Sequence, residues 1–257
     1  MKKLVYVLFS LFLSLSAEAK IISKLIAYKQ GGTALEGYLA FDDGKAAHRP
    51  GIVVVHDWMG ISDDTKKRAD MLAELGYVAF AADIYGKGVR PKDATEAGKL
   101  ATQYKSDVKL LRARVQAALE VLESQPQVDK SKLAAIGYCF GGTTALELAR
   151  SGAPLKGVVS FHGGLATPNP ADAKNIKGRI LALHGADDPY VNAAEVQGFE
   201  KEMRDAHVDW QLTAYGNAVH AFTVKAAGTD NSKGAAYNEK ADKRSWVAMQ
   251  EFFKEIF

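Results

Sequence analysis

Cys139, the only cysteine of the chain, lies within Gly137-Tyr138-Cys139-Phe140-Gly141-Gly142. Glycines two residues to either side remove the β-carbons that would collide in a sharp turn, so the thiol can project into solvent as the attacking atom of a Gly-x-nucleophile-x-Gly elbow. Covalent hydrolysis by a thiol needs a base that can later protonate a leaving group. His220, within Gly216-Asn217-Ala218-Val219-His220-Ala221-Phe222, suits that task because imidazole titrates near neutrality. It also needs a carboxylate to orient the ring. His184-Gly185-Ala186-Asp187-Asp188-Pro189 supplies two, and either could accept from an imidazole N–H.

These side chains must be held by particular elements. Residues 133–136 read as a short buried strand and 140–150 as a helix, the strand-turn-helix that an elbow requires. At that helix N-terminus, free N–H groups and the helix dipole favour a thiolate and can also bind an oxyanion. Residues 21–28 and 35–41, separated by Gln30-Gly31-Gly32-Thr33, read as an antiparallel hairpin. Further strands are predicted at 52–55, 77–81, 157–161, 179–183 and 210–214. Helices are predicted at 64–75, 92–106, 107–123, 193–206 and 237–257, and the Gly-rich stretch 226–235 reads as a mobile loop.

The expected fold is therefore α/β: a mostly parallel central sheet with an N-terminal antiparallel hairpin and helices on both faces. Nucleophile, acid and histidine follow in that order, each beyond the carboxyl end of a successive strand, which is the α/β-hydrolase arrangement. Ligand sites in open α/β sheets lie beyond those strand ends.

At 257 residues, 47% hydrophobic and 25% charged, the chain can bury one substantial core, expected as a single domain over 20–257. Lys2-Lys3, the apolar run from Leu4 to Leu15 and Ala17-Glu18-Ala19 read as a secretory signal, residues 1–19. Its apolar run falls short of the roughly 20 residues that span a bilayer. The expected protein is exported, periplasmic or secreted, without a stable membrane anchor after cleavage. Loss of Lys2, Lys3 and Glu18 takes the net charge from +3 to +2. Basic residues are scattered, with no run longer than Lys66-Lys67-Arg68, so nucleic acid is not an expected partner. One cysteine excludes an internal disulfide.

Val53-Val54-Val55-His56-Asp57-Trp58-Met59-Gly60, Ala82-Asp83-Ile84-Tyr85-Gly86, the Cys139 elbow, Gly185-Ala186-Asp187-Asp188 and the His220 loop together resemble the dienelactone hydrolase family, whose namesake activity is carboxymethylenebutenolidase. The resemblance implies a small ester or lactone substrate, no cofactor, and a triad of Cys139 as nucleophile, Asp188 as orienter and His220 as base. It also implies oxyanion donors at the backbone N–H groups of Trp58 and Phe140. Where the family carries a thiol-activating glutamate, this chain has Asp57. Where the family carries two arginines for a substrate carboxylate, it has Lys87 and Val224, with Lys225 adjacent. A monomer or weak oligomer is expected.

Two other classes compete. His56, His162, His184 and His220 each follow a strand and could converge on a metal in a metal-dependent hydrolase, although none shows i, i+4 or His-Glu-x-x-His spacing. Otherwise His56 and His184 are structural turn residues or part of a pocket rim. A non-catalytic ligand-binding or thiol redox-sensing protein on the same fold is the second alternative.

Overall fold

The computed structural model describes residues 20–44 and 48–257, so the expected signal segment lies outside the described residues. Eight strands form one sheet: β1 (Ile21–Gln30), β2 (Thr33–Asp42), β3 (Arg49–Val55), β4 (Val78–Ala82), β5 (Val128–Tyr138), β6 (Gly157–Phe161), β7 (Arg179–Gly185) and β8 (Trp210–Tyr215). Their spatial order is β1-β2-β4-β3-β5-β6-β7-β8. The hairpin β1–β2 and the β2–β4 pair are antiparallel, and every pairing from β4 to β8 is parallel. The helices are α1 (Asp63–Glu74), α2 (Ala94–Ser106), α3 (Val108–Glu123), α4 (Phe140–Arg150), α5 (Ala193–Asp205) and α6 (Glu239–Ile256).

Alternation along β3 shows how the two layers arise. Val53 and Val55 pack with α2, α3, α4 and α5 on one face, while Ile52 and Val54 pack with α1 and α6 on the other. Both faces are covered, and the buried stretches of the central parallel strands, such as residues 52–55 and 133–136, are accordingly apolar. The helix starts are written locally. Ser62, Asp93, Asp107, Asn192 and Asn238 each accept a backbone N–H of the first turn they cap.

Every predicted strand and helix is present; helix 140–150 and strand 157–161 keep their bounds and the others shift. Strand β5 begins at Val128, five residues before the apolar run, because Val128 and Asp129 pair with Arg49 and Pro50 before the register shifts at Pro50/Gly51. The polar segment Asp129-Lys130-Ser131-Lys132 carries no strand pattern, and Ser131 N–H turns back to the Asp129 carboxylate. The stretch expected as a mobile loop contains two short 3-10 turns. It is tied to the His220 backbone on both sides: His220 N–H donates to Gly234 O, and Ala236 N–H donates to His220 O.

Candidate active site

Cys139 occupies the turn between β5 and α4 with φ 55° and ψ −116°, a backbone conformation costly for a residue with a β-carbon. Its N–H is held by Phe161 O at 3.0 Å. The turn closes so tightly that a β-carbon on Gly137 would lie 1.9 Å from Gly141 O, and one on Gly141 would lie 2.3 Å from Val55 O. Glycine at both positions is thus a steric requirement of strand β5, helix α4 and strand β3 meeting here. The Cys139 side chain does not cap α4, which leaves the thiol facing outward beside the first free N–H groups of that helix.

His220 Nε2 lies 3.0 Å from Cys139 Sγ, and His220 Nδ1 lies 2.8 Å from Asp188 Oδ2. Asp188 is buried, and its other oxygen accepts the N–H groups of Tyr190 and Val191 at 2.8 and 3.2 Å, which fixes the carboxylate in the turn after β7. Asp187 is exposed, so the structure separates the two neighbouring carboxylates in favour of Asp188. Burial opposes a charge on His220, but its hydrogen bonds to Asp188 and Cys139 and their charges outweigh burial and raise it to about 10. The ring rests against His162, with centroids 5.4 Å apart, and against Tyr190, also 5.4 Å away. Burial, then the adjacent His220 charge, push His162 well below the ordinary imidazole value; its Nε2 lies 2.7 Å from Thr223 Oγ1.

The turn after β3 provides the facing wall. Among the described residues, neither Trp58 N–H nor Phe140 N–H donates to another backbone group. The loop carrying Trp58 is held from beneath: Tyr85 Oη donates to Trp58 O at 3.0 Å, and His56 Nδ1 donates to Asp57 O at 2.5 Å while its Nε2 accepts Ile84 N–H. His56 is fully buried, stacks on Phe140, and is pushed down to about 4 by that burial, so it is a neutral support in the turn. Asp57 Oδ1 accepts Met59 N–H at 2.8 Å, and burial raises its carboxyl. No hydrogen bond joins Asp57 to the Cys139 thiol among the described residues.

A family model described as the dienelactone hydrolase family matches residues 35–257. The chain belongs to the dienelactone hydrolase family. A solved structure described as a dienelactone hydrolase-like promiscuous phosphotriesterase from metagenomic libraries is 44% identical, with TM-score 0.88, covering 92% of this chain and 99% of that one. A Bradyrhizobium protein named as a probable 2-oxo-3-(5-oxofuran-2-ylidene)propanoate lactonase is 32% identical over 67% of this chain and 73% of its own length. An Aquifex aeolicus (strain VF5) protein provisionally named carboxymethylenebutenolidase is 27% identical over 91% of this chain and 98% of its own. A dienelactone hydrolase from Anabaena variabilis, 20% identical with TM-score 0.66 and covering 92% of this chain and 99% of that one, shares the fold. This member of the dienelactone hydrolase family is a hydrolase with the α/β-hydrolase fold.

In this dienelactone hydrolase family member, Cys139, His220, Trp58, Phe140 and Asp57 line one cavity of about 780 Å³. Lys87 is not among its lining residues; it pairs with Glu36 of β2 at 2.8 Å on the exposed hairpin side. Val224 lines the cavity, and Lys225 instead lines an adjoining polar cavity of about 180 Å³. Among the described residues no group of three or more His, Cys, Asp and Glu could hold a metal ion, and His184 is buried beneath the turn that carries Asp188. Sequence reasoning passed over Glu195, Tyr190 and Lys105, which also line the cavity. Glu195 showed only as a first-turn acid of a helix, and Lys105 as a last-turn base.

Proposed function

We propose that this protein is an exported cysteine hydrolase that opens a small ester or lactone through an acyl-thioester on Cys139. The observation that carries the reading is the chain of contacts from Cys139 Sγ through His220 to Asp188, at 3.0 and 2.8 Å, beside two uncommitted amide N–H groups. The thiolate attacks the carbonyl carbon, and the carbonyl π electrons move to oxygen between Trp58 N–H and Phe140 N–H. Collapse of this intermediate expels the alkoxide, which takes the proton from His220 Nε2; the alcohol departs from an ester and stays tethered to the acyl group of a lactone. His220 then removes a proton from water, whose oxygen attacks the thioester. A second collapse releases the acid and restores the thiolate and imidazolium. Asp188 keeps the ring in the tautomer and orientation both steps need. Asp57 Oδ1 is engaged by Met59 N–H, so any part Asp57 takes in thiol activation falls to Oδ2.

A phosphotriester is a second substrate class, favoured by the 44% identical structure described as a promiscuous phosphotriesterase. The same amide pair would receive a phosphoryl oxygen. The test is turnover of p-nitrophenyl acetate, a dienelactone and an aryl phosphotriester by residues 20–257, in wild type and Cys139→Ala. Loss of all turnover in the variant supports a covalent thiol mechanism; retained turnover overturns it. Export is tested separately, by N-terminal sequencing of the protein recovered outside the cytoplasm, with Lys20 expected first.

A further inference from the structure

Glu195 is the carboxylate on the α5 side of the catalytic cavity and plays no part in the reaction described above. It projects from the first turn of α5 and is held in place, with Oε1 accepting the N–H groups of Leu165 at 2.6 Å and Ala166 at 3.0 Å. That loop is itself pinned, because Thr143 Oγ1 donates to Gly164 O and Arg150 donates to Leu165 O. Oε2 has no hydrogen-bond partner and no cation faces it within ion-pair distance among the described residues. Tyr190, 61% exposed, lines the same cavity and belongs to the turn that leads into α5. The remaining lining is mainly apolar, with Met59, Ala101, Val191 and Ala227 among it.

Among the described residues Lys105 is the one lysine or arginine on this lining, and it comes from the other side. Helix α2 follows β4, two strands from β5 in one direction, whereas α5 follows β7, two strands away in the other. Cys139 therefore lies between Lys105 and Asp57 on one side and Glu195 on the other. A fixed carboxylate with a free oxygen, an exposed aromatic ring and an apolar surround are the elements that recognise an ammonium group.

We propose that Glu195 determines specificity by favouring esters whose acyl part ends in a cationic ammonium group. This rests on the ester-hydrolase reading above. The test compares p-nitrophenyl 4-(trimethylammonio)butanoate with p-nitrophenyl 5,5-dimethylhexanoate, which share a leaving group and a shape and differ in one charge. In wild type, kcat/KM for the cationic ester should exceed that for the neutral one by about tenfold, the worth of one partly solvated charge contact. In Glu195→Gln, which keeps the acceptor oxygen for the two amides, the ratio should fall to about one. A wild-type ratio of one or less, or a ratio unchanged in Glu195→Gln, overturns the proposal. A purely structural role would lower both rates together and also leave the ratio unchanged.

If wild type turns over neither ester, the hydrolase reading has failed separately, and choline binding decides the role of Glu195. Choline should change the tryptophan fluorescence of Cys139→Ala and bind at least fivefold more weakly to Cys139→Ala/Glu195→Gln. Equal binding, or no binding to either, overturns the proposal.

Discussion

The Cys139 thiol and the His220 ring lie 81 residues apart in sequence and 3.0 Å apart in space. Asp188 engages the far side of the same ring, so both imidazole nitrogens face acceptors and the ring is held in its charged form.

Asp188→Asn should lower kcat for p-nitrophenyl acetate by about 10⁴-fold, because the imidazole loses the carboxylate that sets its tautomer and orientation. The pair also contributes to stability in a defined window. Because the folded value of His220, about 10, lies above the ordinary 6.5, its contribution is complete below about pH 6.5 and is lost as pH rises through about 10. Urea midpoints of wild type and His220→Asn should differ most at pH 6 and converge above pH 10.

Cys139→Gly should be more stable than Cys139→Ala by about 1 kcal/mol, the reverse of the usual order of these residues. At φ 55° alanine keeps the steric conflict of the elbow and glycine does not. Thermal unfolding of the two variants measures the difference, and alanine proving the more stable would contradict the strain argument.

Tyr85→Phe removes the hydroxyl that holds Trp58 O at 3.0 Å, without touching the cavity. Turnover of p-nitrophenyl acetate should fall about fivefold in kcat with little change in KM, since the loosened amide acts on the transition state. Stability should fall by about 1 kcal/mol.

Arg150 is fully buried on α4, where it pairs with Glu147 at 3.0 Å and with both oxygens of Glu202 at 2.8 Å. Arg150→Ala leaves Glu202 buried without its cation and should cost about 3–5 kcal/mol in a denaturant titration. Arg150→Met combined with Glu202→Leu should recover most of that loss, because the unpaired charge disappears together with the pair.

The order of elements along the chain and the candidate trio of Cys139, Asp188 and His220 were legible because each leaves a local signal. Apolar runs mark β3 to β8, glycines bracket Cys139, and the acid and histidine follow strand ends. Asp188 was distinguished from Asp187 by family resemblance, and the structure supplies the physical reason, since the turn after β7 buries one and exposes the other. Lys87 was not legible in the same way. Its partner Glu36 reaches it only because the N-terminal hairpin joins the sheet beside β4, a non-local pairing. Glu195 and Lys105 carried nothing beyond their helix-end positions, because their role depends on which side of β5 each helix reaches. The polar start of β5 was missed because its pairing with β3 is made by backbone alone.

The order of the site along the chain sets the order in which it can be assembled. Cys139 is synthesised before Asp188 and His220, and the backbone of His220 is secured only by Gly234 and Ala236, near the last helix. Until that final quarter has docked, the sulfur has no imidazole beside it. The contact between sulfur and imidazole thus belongs to the docked C-terminal segment rather than to the elbow alone.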